Sequence, residues 1–156
     1  MTDSKLILVT GATGYVGGRL VPKLLEAGYR VRCLVRDPSR LEGRAWLHKV
    51  EVVKGDAVSK EGLAEVMHGV STAYYLIHGK QGGKLNAERD LQVARNFAHA
   101  AEEAGIDNII YFGELVDPTA NLSPYLRARH ETGYLLRYGK VPVTEFRAGM
   151  IVGSGS

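Results

Sequence analysis

Cys33 is the only cysteine among 156 residues, which excludes a disulfide framework within the chain. The five histidines are scattered, and none lies at a metal-ligand spacing from that cysteine, so no metal site is expected. Long apolar runs are also missing. Near the start, only Leu6 to Val9 are uninterruptedly apolar, too few for a signal-peptide core or a membrane span. The expectation is a cytoplasmic protein without a membrane partner. Lys and Arg (20) outnumber Asp and Glu (17), but the cations are interleaved with acids and form no basic run. That pattern describes a solvated surface with a few phosphate contacts rather than a nucleic-acid-binding face.

With 45% hydrophobic and 24% charged residues, the composition is that of a globular protein. A chain of this length can bury roughly 70% of its unfolded surface as one domain. Short β-prone runs alternate with longer helical stretches, which signals parallel βαβ units. Strands are predicted at 5–10, 30–35, 50–53, 72–77, 108–112 and 143–146. Helices are predicted at about 14–27, 40–48, 60–68, 85–104 and 124–138. Leu6-Ile7-Leu8-Val9 is apolar on both faces, as a central parallel strand between two helix layers must be. In the fourth helix Ala87, Leu91, Ala94, Ala98 and Ala101 recur as a small-residue stripe, and Gly105 marks its end. Ser123-Pro124 reads as an N-cap followed by proline at the first helical position. Pro22 falls inside the first helix, where it removes the hydrogen bond to the Gly18 carbonyl. No linker or repeat divides the chain. The fold class predicted is α/β, a doubly wound parallel sheet between two helix layers.

Glycine, by contrast, is plentiful, with 19 residues, and one cluster carries chemistry. Val9-Thr10-Gly11-Ala12-Thr13-Gly14-Tyr15-Val16-Gly17 leaves the first strand and opens the first helix. Gly11 permits a sharp turn, Gly14 lets the backbone approach a pyrophosphate, and Gly17 permits close helix packing. The helix N-terminus then offers N–H groups and a positive dipole end to the phosphates. The spacing is G-x-x-G-x-x-G, not G-x-G-x-x-G. With this turn the sequence resembles the short-chain dehydrogenase/reductase superfamily, in its extended and atypical branches. Leu34-Val35-Arg36-Asp37-Pro38, Gly55-Asp56, Tyr74-Tyr75-Leu76-Ile77-His78 and Val143-Thr144-Glu145-Phe146-Arg147-Ala148 resemble landmarks of NmrA-like and epimerase-like members. The resemblance covers nearly the whole chain and implies a Rossmann fold that binds a nicotinamide dinucleotide. In the resembled proteins a substrate-binding part follows the sixth strand, so the expectation is a cofactor-binding half of a longer protein.

Cofactor choice is read at the end of the second strand, where an acid takes the ribose 2′-OH of NAD and an arginine the 2′-phosphate of NADP. Both are present. Asp37 lies about twenty residues past the last glycine of the turn, near the NAD distance. The alternation Val31, Cys33, Val35 nevertheless makes Arg36 the first residue out of the strand, with Asp37-Pro38 as turn chemistry. In the resembled family an arginine here implies NADP(H), and Arg40 offers a second cation; a solvated loop charge is the alternative for Arg36. Asp56-Ala57 follow the third strand, where the family places an aspartate near the adenine edge; a turn-forming role is the other reading. Ile77 and His78 end the fourth strand beside the expected crevice, with His78 equally readable as an ordinary loop histidine.

The resemblance also implies a Ser, Tyr and Lys centre, the last two spaced Tyr-x-x-x-Lys. Such a tyrosine exchanges the proton of the substrate hydroxyl, and the neighbouring cation lowers its pKa. The matching helix reads Tyr125-Leu126-Arg127-Ala128-Arg129, and Gly113-Glu114 occupy the place of the serine. Arg129 keeps the charge but cannot release a proton. Tyr125 and Arg129 are the candidate catalytic residues. Three functions follow. One is an NADP(H)-dependent oxidoreductase acting on a small carbonyl compound. Another is a non-catalytic NADP(H) sensor or assembly factor of NmrA-like type, and the weakest is a sugar-nucleotide epimerase. By analogy, the last two helices are candidates for a two-fold bundle in a homodimer.

Overall fold

The computed structural model describes residues 4–77, 80–81 and 84–155. Its main sheet holds β1 (Leu6–Thr10), β2 (Arg30–Val35), β3 (Glu51–Lys54) and β4 (Val70–Tyr75), with β7 (Asn108–Glu114) and β8 (Val143–Ala148). Two-residue strands β5 (Lys80–Gln81) and β6 (Lys84–Leu85) form a separate antiparallel pair. The helices are α1 (Tyr15–Glu26), α2 (Lys60–Met67), α3 (Ala87–Glu103) and α4 (Pro124–Tyr138). None of the described helices is long and apolar enough to cross a membrane.

All pairings in the main sheet are parallel, in the order β3-β2-β1-β4-β7-β8. This is the predicted doubly wound arrangement, with the strand order reversing beside β1. Every residue of β1 is buried. Its alternating side chains feed two cores, Leu6 and Leu8 against α2, α3 and α4, and Ile7 and Val9 against α1. Tyr75 at the end of β4 meets Phe97 of α3 edge-on, ring centroids 5.0 Å apart, and Tyr111 of β7 at 5.8 Å.

Several local expectations need correction. The stretch 40–48 is not an α-helix but two 3₁₀ turns, Pro38–Leu41 and Leu47–Lys49, around Gly43. Leu41 and Trp46 still cover the sheet on the α1 side, so burial is met without a continuous helix. The buried face of α3 is Val93, Ala94, Phe97, Ala98, Ala100 and Ala101, whereas Ala87 lies exposed. β4 starts earlier than predicted, because the register shifts between Leu6 and Ile7 and the Ser71 hydroxyl donates to the Leu6 carbonyl at 3.2 Å. Helix α1 runs through Pro22. The Ser123 cap is as predicted, its Oγ accepting from the Leu126 N–H at 3.3 Å.

Candidate functional site

At the carboxyl ends of β1 and β4, where the strand order reverses, a cleft of about 580 Å³ opens. Of the glycine-rich turn, Gly11, Thr13 and Gly14 line it. Ala12 and Val16 pack into the core on the α1 side, and the Tyr15 ring lies beneath the Arg19 guanidinium at 3.9 Å. Gly11 has φ +83°, and a Cβ there would sit 2.7 Å from the Leu76 carbonyl oxygen. A Cβ on Gly17 would come within 2.3 Å of the Gly11 carbonyl oxygen, so this glycine fits the helix against the turn itself. Gly14 caps α1 without a side-chain hydrogen bond, and the first turn holds no acid. The first N–H groups of a helix have no partner within it, so this end suits an anion. Thr10 braces the floor, its Oγ1 donating to the Tyr74 carbonyl at 2.8 Å.

The end of β2 supplies the second wall. Arg36, Asp37 and Arg40 all line the cleft. The Asp37 carboxylate accepts from the Ser39 hydroxyl at 2.7 Å and the Ser39 N–H at 3.1 Å, capping the first 3₁₀ turn. These two bonds hold its carboxyl below the usual carboxylate range. Among the described residues, no carboxylate pairs with the Arg36 guanidinium.

The third wall joins the end of β3 to the start of α3. Asp56, Ala57 and Ile77 line the cleft, together with Arg89 and Asp90, which sequence reasoning missed. Arg89 pairs with Asp56 at 2.7 Å. Burial pushes the Asp90 carboxyl up, against the pull of Arg89 and Arg129. A local signal for this wall did exist. Asn86 is the N-cap of α3, three residues before Arg89, and recognising it would have put Arg89 and Asp90 in the first helical turn. The expectation for His78 lies outside the described residues.

Tyr125 and Arg129 share one face of α4 but do not line this cleft. Arg129 is only 6% exposed. Its guanidinium donates to the Ile77 carbonyl at 3.1 Å and to the Phe112 carbonyl, clamping the ends of β4 and β7 to α4. Among the described residues its Nε has no hydrogen-bond partner, and it lies 3.9 Å from the Glu114 carboxylate. The Tyr125 hydroxyl stands 3.4 Å from that carboxylate. Burial raises the Tyr125 phenol; Arg129 pulls it down, and Glu114 adds to the rise. A tyrosine poised as a base needs the opposite balance.

Residues 3–127 match the NmrA-like family. The chain is 32% identical to a 3-beta-hydroxysteroid dehydrogenase of Mycolicibacterium neoaurum over 120 residues, 70% of this chain and 32% of that protein. It is 28% identical to a photosystem II assembly factor of Cyanophora paradoxa, over 90% of this chain and 44% of that protein. Among solved structures, Citrobacter sp. triphenylmethane reductase complexed with NADP(H) superposes with a TM-score of 0.74 at 27% identity, covering 90% of this chain and 48% of that one. The chain thus spans between a third and a half of the length of these relatives. On sequence and on strand order alike, the chain belongs to the NmrA-like family, with the Rossmann architecture of a dinucleotide-binding domain.

Proposed function

We propose that this chain is the NADP(H)-binding domain of an oxidoreductase. The observation that carries the reading is one cleft lined both by an α1 N-terminus with no side-chain cap and by Arg36, which pairs with no carboxylate among the described residues. The residues suit the cofactor. Gly11 and Gly14 line the cleft, and the first N–H groups of α1 beside them would bind a pyrophosphate. Arg36 would pair with the 2′-phosphate, supported by Arg40. Asp37, the residue that would favour NAD, has its carboxylate tied to Ser39. The nicotinamide ring, when bound, gives or takes a hydride. The relative solved with NADP(H), a reductase, supports the same assignment.

A calorimetric titration with NADPH and NADH tests it. NADPH is expected to bind at least roughly tenfold tighter, about 1.4 kcal/mol, and Arg36→Ala to remove the gap. Equal affinities in the unaltered chain would refute the NADP(H) assignment.

One observation favours a second reading, a domain that binds NADP(H) without turning it over. Arg129 clamps two strand ends through their carbonyls, and Tyr125 is biased toward its neutral form. Both features support a reading without a ribose-binding cation beside an activated tyrosine on α4. One relative, that of Cyanophora paradoxa, is a photosystem II assembly factor. Loss of turnover in Tyr125→Phe with cofactor binding intact would favour the enzyme.

A further inference from the structure

Among the described residues, β8 ends the main sheet with no strand paired along its outer side. The Ile109 N–H donates to the Pro142 carbonyl and the Leu115 N–H to the Ala148 carbonyl, both at 2.9 Å. Successive residues of a strand turn their backbone groups to opposite sides, so the even-numbered residues of β8 bond to β7. Val143, Glu145 and Arg147 therefore turn their N–H and C=O groups to the open edge. Open edges are normally blunted by shortness, lysine, proline or a bulge. The opposite edge follows that rule, since β3 has 4 residues and ends on Lys54. β8 does not. It has 6 residues, reads Val-Thr-Glu-Phe-Arg-Ala, and pairs with β7 without a register shift. Phe146, in its middle, is 56% exposed.

An edge of this kind accepts another strand, and its own sequence fits a second copy of itself. Antiparallel self-pairing places a two-fold axis on one residue of the strand. With the axis at Glu145 two carboxylates face each other, and with the axis at Arg147 two guanidinium groups do. Like charges directly opposite destabilise a strand pair. With the axis at Phe146, each Glu145 faces the Arg147 of the other copy, and these residues carry the edge-facing backbone groups that exchange hydrogen bonds. The two Phe146 rings then meet in the non-hydrogen-bonded position, where side chains approach most closely. Glu145 accepts from Arg137 as well as from Arg147, so Arg147 can turn to the other copy without leaving that carboxylate unpaired. We propose that β8 is the contact between two copies of this chain, joined antiparallel about a two-fold axis at Phe146 into one continuous sheet.

Sedimentation of the 156-residue chain over a concentration series tests this, with a reversible dimer as the expected result. Arg147→Glu sets like charges opposite each other in both symmetry-related pairs and should weaken the dimer by at least roughly tenfold, whereas Arg147→Lys should not. Circular dichroism shows whether either variant has lost the fold. Cysteine crosslinking then reads the register. Phe146→Cys puts two thiols across the axis at a Cα separation of about 4.5 Å, within disulfide range. Thr144→Cys puts them out of step, roughly 14 Å apart along the strands. Cys33 is buried and stays out of the reaction. Under a mild oxidant, Phe146→Cys should trap the dimer and Thr144→Cys should not. A chain that stays monomeric throughout the series overturns the inference, as does an unchanged dimer in Arg147→Glu. So does a dimer that Phe146→Cys fails to trap, the outcome for an interface through the last two helices, or equal trapping by both cysteine variants.

Discussion

Replacing Gly11 with alanine should do far more harm than the same change at Gly28, although both have nearly the same backbone conformation, φ +83° and +86°. A Cβ in the left-handed region costs about 1–2 kcal/mol at either site. At Gly28 nothing lies within 4 Å of the added carbon, so that cost stands alone. At Gly11 the carbon would sit 2.7 Å from the Leu76 carbonyl oxygen and 3.0 Å from its carbon. Leu76 cannot retreat freely, because its N–H donates to Thr10 Oγ1 at 3.4 Å and that hydroxyl is bonded to the Tyr74 carbonyl. Overpacking against fixed backbone adds about 1–3 kcal/mol. Gly28→Ala should therefore lose about 1–2 kcal/mol and Gly11→Ala about 2–5 kcal/mol. For a domain of this length each kcal/mol lowers Tm by roughly 2–4 °C. Thermal melts followed by circular dichroism give the stability difference. A parallel NADPH titration should show binding kept in Gly28→Ala and lost in Gly11→Ala. Equal losses of Tm, or undiminished NADPH affinity in Gly11→Ala, would refute the steric argument.

Arg129→Met leaves the carbonyls of Ile77 and Phe112 without their charged donor and should cost about 3 kcal/mol in urea denaturation; a loss under about 1 kcal/mol would mean water replaces the clamp. Tyr125→Phe should leave NADPH affinity within about twofold, since the hydroxyl faces Glu114 outside the cleft; a tenfold loss would put the tyrosine in the cofactor site. Partial burial disfavours the charged form of Glu51, but bonds from Arg32 and Arg30 outweigh it and hold the carboxyl low. Its contribution is present above the unfolded carboxylate value of about 4.3 and is lost as pH falls through the lower folded value. The Tm gap between the unaltered chain and Glu51→Gln should accordingly narrow between about pH 5 and pH 3, and a constant gap would contradict that sign.

Residues that act on near neighbours in the chain were read correctly from sequence. The β/α alternation, the two-faced apolar β1, the glycine turn and the Ser123-Pro124 cap each depend on a few consecutive residues, and the structure has them all. Asp37 belongs to the same class, since its capping contact lies only two residues away at Ser39. The stretch 40–48 was misread because burial of Leu41 and Trp46 can be met by two 3₁₀ turns as well as by a helix. Periodicity over nine residues does not separate the two.

What the sequence by itself determined is the order of the main elements and the position of the glycine-rich turn, because propensity, capping and apolar period are local properties. Only the tertiary structure decided which distant side chains meet. Asp56 finds Arg89 across 33 residues, and Arg129 finds the Ile77 carbonyl across 52, because parallel crossovers bring the ends of β3 and β4 beside α3 and α4. The physical reason is that ion pairs and buried donors depend on through-space distance, which no spacing along the chain encodes.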